Sequence, residues 1–304
     1  MSATQKIISV KNLKKNYGTF EAVKNISFDV YEGEIFGLLG PNGAGKSTTL
    51  EIIETLREKT SGEVLVNGLN LDTKADDIKK IIGVQLQTSG FYPGLNLLEL
   101  IELFGGLYNK TVDGRELLKL VNLEEKAKNK FKELSGGQKQ RFSIATTLIN
   151  QPKIVFLDEP TTGLDPQARR NLWELIKDIR AKGTTVIITT HYMDEAERCN
   201  RLAYIVYGNL MAEGTIPEII KQSGLVAWRA NGKNLPELAD SVRDAKGVAQ
   251  VVIWGNELRI CGTDESLLRR VVSEHENYQW HKTETSLEEV FIHLVSENPE
   301  GATA

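Results

Sequence analysis

One octet, Gly40-Pro41-Asn42-Gly43-Ala44-Gly45-Lys46-Ser47, restricts this chain more than any other stretch. It spells G-x-x-x-x-G-K-S, the pattern of a loop that wraps phosphate groups. The apolar run before it, residues 34–39 (EIFGLL), suits a buried strand, and residues 48–54 (TTLEIIE) suit a helix. The octet therefore sits in the strand–loop–helix setting that its chemistry requires. Its glycines let successive N–H groups turn into one anion-sized hollow. The helix that opens at its end adds partial positive charge. Lys46 has the reach for β- and γ-phosphates, and Ser47 offers a hydroxyl to Mg2+. The competing reading, a glycine-rich turn that binds nothing, explains neither the Lys-Ser ending nor the strand in front.

The rest of the chain narrows the class. With 304 residues there is room for two domains. A 40% hydrophobic and 26% charged composition is that of an ordinary globular protein. The net charge of −4 gives no global basic field, so nucleic acid is not an expected partner. Cys199 and Cys261 are too few for a disulfide framework and lack zinc spacing. The first residues carry no apolar export core, and no apolar run approaches the roughly 18 residues of a spanning helix. The expectation is a cytoplasmic chain that reaches a membrane only through other chains.

In chain order, residues 7–13 alternate at a strand period and pair across a turn near Tyr17 with a strand marked by Val23, Ile26, Phe28 and Val30. Tyr17 either stacks on a nucleobase or packs on its own hairpin; spacing leaves both open. Residues 63–68 read as a strand ending in an Asn-Gly turn. Residues 79–87 pass from a helix end into a strand that closes at Gln87. From about 88 to 150 the pattern turns helical, an insertion in an otherwise α/β domain. Ser135, with Gly136, Gly137 and Gln138, opens one of its helices. The pair of glycines at a helix start is a second place where an anion could be met, but taken alone an N-cap with a glycine turn is the better explanation. Residues 154–159 (IVFLDE) form an apolar run that ends in two carboxylates, where open α/β sheets do chemistry. Asp158 fits the second partner of Mg2+, and Glu159 fits a base that activates water. His191 ends the next strand, residues 184–190; alone, it is as consistent with structure as with catalysis.

Taken together, and in this order, these residues resemble the ATP-binding cassette family over about residues 5–217. Tyr17 is similar to its adenine-stacking aromatic, Gly40 to Ser47 to its Walker A loop, and Gln87 to its Q-loop glutamine. Leu134 to Gln138 is its LSGGQ signature, unaltered. Asp158 and Glu159 match Walker B and the catalytic glutamate, Gly163-Leu164-Asp165 the D-loop, and His191 the switch histidine. The resemblance implies a P-loop cassette with an antiparallel β-subdomain and a helical subdomain. It implies ATP and Mg2+ as cofactors. Nucleotide contacts would come from Tyr17, from Gly40 through Ser47 and Thr48, and from Ser135, Gly136, Gly137 and Gln138. Ser47, Gln87 and Asp158 would serve the metal, and Glu159, His191, Lys46 and Gln87 the chemistry. Two copies would pair head to tail, each lending its signature helix to the other's ATP.

Past residue 217 the chain matches no catalytic pattern. Residues 218–304 read as a small α+β domain in the order β-α-β-β-α-β, suggesting a ferredoxin-like unit, closed by an amphipathic helix whose Ser286 and Glu289 are spaced as a capping box. The stretch from Thr285 to Phe291 (TSLEEVF) resembles the tails of ABC-2 type exporter cassettes, among them drug and antibiotic exporters. That implies export through a separate transmembrane permease, with this chain on the inner face of the membrane. A cassette protein acting on DNA or the ribosome is the alternative. The single phosphate loop, the lack of sustained heptads and the acidic balance speak against it. His275, His281 and His293 have no carboxylate spacing that supports a metal.

Overall fold

The structure is a computed structural model, and it describes residues 5–85 and 90–297. The chain divides into two compact units, Met1–Met211 and Ala212–Ala304.

The first unit opens with β1 (Lys6–Tyr17) and β2 (Phe20–Tyr31), followed by β3 (Ile35–Leu39), α1 (Lys46–Ile53), β4 (Ser61–Val66), β5 (Leu69–Asn70), α2 (Ala75–Lys79) and β6 (Ile82–Gln85). A helical stretch follows: α3 (Leu97–Leu107), α4 (Gly114–Leu120) and α5 (Gly136–Thr147). Then come β7 (Ile154–Asp158), α6 (Pro166–Ala181), β8 (Thr185–Thr190), the short α7 (Met193–Ala196), β9 (Arg201–Val206) and β10 (Asn209–Gly214).

Two sheets result. One is antiparallel, in the order β2-β1-β4-β5. The other has six strands in the order β10-β9-β3-β8-β7-β6, and β9, β3, β8, β7 and β6 run parallel. Every residue of β3, β7 and β8 is buried. This is why β3 and residues 154–157 of β7 read as unbroken apolar runs rather than alternating ones: both faces of the sheet are covered there. One core joins the sheets, with Val10, Phe28 and Val64 from the antiparallel sheet meeting Leu38, Phe156 and α1's Leu50. The Phe28 and Phe36 rings stack across it at 5.5 Å.

Helix α6 starts on an Asp165 side chain that accepts from the backbone N–H groups of Gln167 and Ala168, with Pro166 at its first position. Its stripe of Leu172, Trp173, Leu175, Ile176 and Ile179 is buried. Those five side chains contribute roughly 10 kcal/mol of transfer free energy, most of it offset by chain entropy. In the helical stretch, the rings of Phe91, Phe104, Phe131 and Phe142 form a core of their own.

The second unit runs α8 (Ile216–Ser223), β11 (Val226–Asn231), α9 (Leu235–Val242), β12 (Gln250–Trp254), β13 (Glu257–Gly262), α10 (Glu265–Glu274), β14 (Gln279–Thr283) and α11 (Leu287–Ser296). Its antiparallel sheet has the order β12-β13-β11-β14, the split arrangement of a ferredoxin-like unit. Ala230, Leu238, Leu258, Ile260 and Leu268 lie in its core. The half-buried Arg259 forms a forked ion pair with the buried Glu289 at 2.8 and 3.0 Å, and Arg259 also donates to the Glu284 carbonyl. Residues 215–217, where the sequence suggested the first domain ends, begin α8 inside this unit. Thr215 and Glu218 close a capping box there.

Candidate nucleotide site

The order of the parallel sheet builds the site. Strand β8 lies between β3 and β7, with Leu39 opposite Thr190 and Asp158 opposite Thr189. The loop after β3, the acids ending β7 and the histidine after β8 therefore emerge side by side at one sheet edge.

The loop's backbone is fixed by close approaches. Gly40 has φ 150°, and a Cβ there would stand 1.9 Å from the Ile205 carbonyl oxygen. Gly45 has φ 102°, and its Cβ would stand 2.5 Å from the Ala22 oxygen. Only glycine fits either position. Lys46 is 4% exposed; its ammonium donates to the carbonyls of Gly40 (2.8 Å) and Pro41 (3.0 Å) and lies 3.8 Å from Glu159 Oε1. Burial lowers its pKa, while the charges of Glu159 and Asp158 oppose that shift. The lysine is thus held between the loop carbonyls and an acid pair.

Ser47 Oγ donates to Asp158 Oδ1 at 3.3 Å. Thr189 Oγ1 donates to the same oxygen and accepts from the Glu159 backbone N–H at 2.8 Å. Glu159 itself has φ 44°, a left-handed backbone unusual for any residue but glycine. Its Oε1 lies 3.4 Å from His191 Nδ1, and Thr162 Oγ1 donates to its Oε2 at 3.3 Å. A cleft of about 450 Å3 is lined by Tyr17, Phe20, Ala22, Asn42, Gly43, Ala44, Gly45, Lys46, Ser47, Thr48 and Glu159. Tyr17 is 41% exposed at its mouth, with Lys15 and Arg57 within 5.1 and 5.4 Å of the ring centroid. It faces the cleft rather than being buried against its hairpin.

The residues 135–138 lie elsewhere. Ser135 caps α5 in a capping box with Gln138, and Ser135 and Gly136 are exposed. With Gly137, Gln138, Arg141, Gly163, Leu164, Asp165, Ala168 and Asn171 they line a second cleft of about 330 Å3. The two clefts share no lining residue. Gln87 lies outside the described residues.

Several neighbours of the site were not legible in the sequence. Thr189 reads as one more residue of a strand, and only the β7–β8 register shows that it bridges Asp158 and Glu159. Glu54, capping α1, reads as a solvent-facing acid yet is 2% exposed, and its Oε1 has no hydrogen-bond partner among the described residues. Burial, then the charges of Asp158 and Glu51, push its pKa up to about 8. The histidines of the second unit are dispersed: His275 bonds Ser241 and the Val271 carbonyl, and His293 faces Glu297. Among the described residues no group of three or more His, Cys, Asp or Glu could hold a metal, and no helix is long and apolar enough to cross a membrane.

A glycine-bound loop between strand and helix, a buried lysine and an acid pair at the end of the next strand but one define a P-loop nucleotide-binding cassette. Comparison with known proteins narrows this. The ABC transporter family matches over residues 23–162. Across 305 aligned residues the chain is 35% identical to the linearmycin resistance ATP-binding protein LnrL of Bacillus subtilis (strain 168), covering 95% of this chain and 98% of that protein. It is 38% identical over 243 residues to the Nod factor export ATP-binding protein I of Cupriavidus metallidurans, covering 78% and 80%. A dimeric ATP-binding cassette, solved in a post-hydrolysis state with ADP and Pi, superposes with a TM-score of 0.63 at 32% identity, over 69% of this chain and 98% of its own. The chain belongs to the ABC transporter family and is an ATPase cassette of it. Its nucleotide is ATP.

Proposed function

We propose that this chain is the ATP-hydrolysing subunit of a membrane exporter. Two copies close head to tail on ATP and open after it is cleaved. The observation that carries this reading is the separation of the two clefts. Lys46, Ser47 and Glu159 line one, with Asp158 in contact with Ser47 and His191 with Glu159, while Ser135, Gly136, Gly137 and Gln138 line the other. A second copy supplies to each phosphate cleft what its own chain holds apart from it.

In that reading Tyr17 stacks on the adenine, and the backbone from Gly40 to Thr48 wraps the phosphates. The Ser47 hydroxyl and the Asp158 carboxylate are hard oxygen donors 3.3 Å apart. That is close to the roughly 3 Å edge of an octahedral Mg2+ shell. Mg2+ held by those two groups would neutralise charge on the β- and γ-phosphates. Lys46 turns its ammonium from the loop carbonyls to the phosphate oxygens. Glu159 Oε1 accepts a proton from the attacking water, and His191, beside it, holds that water and the γ-phosphate in line. Water adds to the γ-phosphorus as the bond to the β-bridging oxygen breaks, leaving ADP and inorganic phosphate. Gln87 completes the metal and water contacts by resemblance. Export is the direction that the names of the relatives support, among them Nod factor export and linearmycin resistance proteins. A separate permease then supplies the membrane path and holds this chain at the inner face.

The test is Glu159→Gln. MgATP turnover should fall at least about a hundredfold, and the variant with ATP should elute as a dimer while ADP leaves it monomeric. Normal turnover would overturn the assignment of the base. A monomer at saturating ATP would overturn the paired site.

A further inference from the structure

A set of contacts beside the phosphate cleft has no part in the scheme above. Arg169, in the first turn of α6, lays its guanidinium over the Tyr192 ring, 4.5 Å from the centroid. The Tyr192 ring packs on the His191 ring, with centroids 4.1 Å apart. Arg169 Nε stands 3.7 Å from Glu195 Oε1, and Nη1 stands 3.7 Å from Asp194 Oδ2. Glu195 is wholly buried; its Oε2 accepts from Thr190 Oγ1 at 2.7 Å, and that hydroxyl accepts from the Tyr192 backbone N–H at 3.0 Å. The residues on both sides of His191 are thus held through Glu195 and Arg169.

The pair itself is not closed. At 3.7 Å, Nε and Oε1 are within ion-pair range but beyond hydrogen-bond range, and both are buried without a hydrogen-bond partner among the described residues. An approach of about 0.9 Å would give each its missing partner, as a charge-assisted bond of about 2.8 Å. The other side of the same helical turn touches α5: a Cβ on Gly137 would stand 3.1 Å from the Ala168 Cβ. One turn of α6 therefore abuts the helix that opens at Ser135 and, one residue on, the loop that carries His191.

We infer that Arg169, through Glu195 and Tyr192, is a positioning residue for His191 and ties the placement of that ring to the placement of α5. The inference rests on the reading of the Glu159–His191 cleft as the hydrolytic centre. Displacement of α5 carries Ala168 and the first turn of α6. Arg169 then closes on Glu195, and Tyr192 moves with the guanidinium it stacks on. The His191 ring, already 3.4 Å from Glu159 Oε1, is thereby held in register with the other half of the site. A passive brace would hold the fold equally well but would leave the rate of the chemical step alone.

The experiment uses the full chain with Arg169→Met, Arg169→Lys and Glu195→Gln, reading kcat and KM for MgATP hydrolysis together with the histidine Cε1–H NMR resonances. Only four histidines are present, and His191 is the one in the first unit. Arg169→Met should lower kcat on the order of ten- to a hundredfold, the scale of a slightly misplaced catalytic group. KM should stay within about twofold because no nucleotide contact is touched. The His191 resonance should shift while the other three hold still. Arg169→Lys keeps the charge beside Glu195, and so the fold, but loses the planar stack on Tyr192; it should show a smaller kcat loss and the same resonance shift. Wild-type hydrolysis with kcat and the His191 resonance unchanged in Arg169→Lys and Glu195→Gln would overturn the inference and leave the hydrolytic reading intact. A wild-type chain that does not hydrolyse MgATP would overturn both.

Discussion

Replacing Glu54 by Gln should flatten the pH dependence of stability in the nucleotide-free protein. The carboxyl ends α1 beneath the phosphate loop, 2% exposed, with one oxygen lacking a hydrogen-bond partner. Burial, reinforced by the charges of Asp158 and Glu51, raises its pKa from the ordinary 4.5 to about 8. Below pH 4.5 the folded and unfolded chains both hold this proton. Between 4.5 and 8 the folded chain keeps it while the unfolded chain ionises, so stability falls as pH rises across that window. Three and a half pH units correspond to roughly 5 kcal/mol if the whole shift is realised, and to about 3 kcal/mol by pH 7. Glutamine has no such window. The assay is thermal melting of both proteins from pH 5 to pH 8, taken as the difference between them so that other titrations cancel. One kcal/mol is worth about 2–4 °C in a unit of this size. The melting temperature of the wild type relative to Glu54→Gln should thus drop by at least about 5 °C across the range. Parallel curves would refute the argument, since a carboxyl that ionises in place at its ordinary pKa leaves no difference to titrate.

Other outcomes follow from the same contacts. Gly40→Ala forces a methyl to within 1.9 Å of the Ile205 carbonyl, so titration with a fluorescent ATP analogue should show at least a hundredfold weaker binding; near-normal affinity would mean that the loop can relax. Arg259→Met strands the buried Glu289 carboxylate and should cost about 3–5 kcal/mol in denaturant unfolding, with much of the loss recovered in the Arg259→Met/Glu289→Met double variant. Both cysteines are buried, and burial raises both thiols, Cys261 to about 12 and Cys199 further. A thiol reagent at pH 8 should therefore modify neither in the native chain and both after unfolding.

The strand–loop–helix around Gly40 to Ser47 was legible because its pattern is local: apolar run, glycines, then Lys-Ser. The α6 stripe and the Ser135 and Asp165 caps were legible for the same reason, since period and capping spacing are properties of one segment. What hid was every fact that depends on which strands become neighbours. Thr189 bridges Asp158 and Glu159 only because β8 lies beside β7. Glu54 in the run Glu51-Ile52-Ile53-Glu54 looks like an exposed acid at a helix end until the sheet closes over it. Arg169 and Glu195 are 26 positions apart on two helices whose approach no periodicity encodes.

The carboxylate facing His191 stands on a left-handed backbone, at φ 44°. A side chain in that conformation costs about 1 kcal/mol that glycine would not incur. Every generation of this chain therefore carries a small, constant tension at the residue proposed to activate water. Drift toward greater sturdiness pulls against the acid, and that proposed work is what would hold it in place. A descendant freed from that work is expected to settle into a calmer fold and outlast its working ancestor in heat.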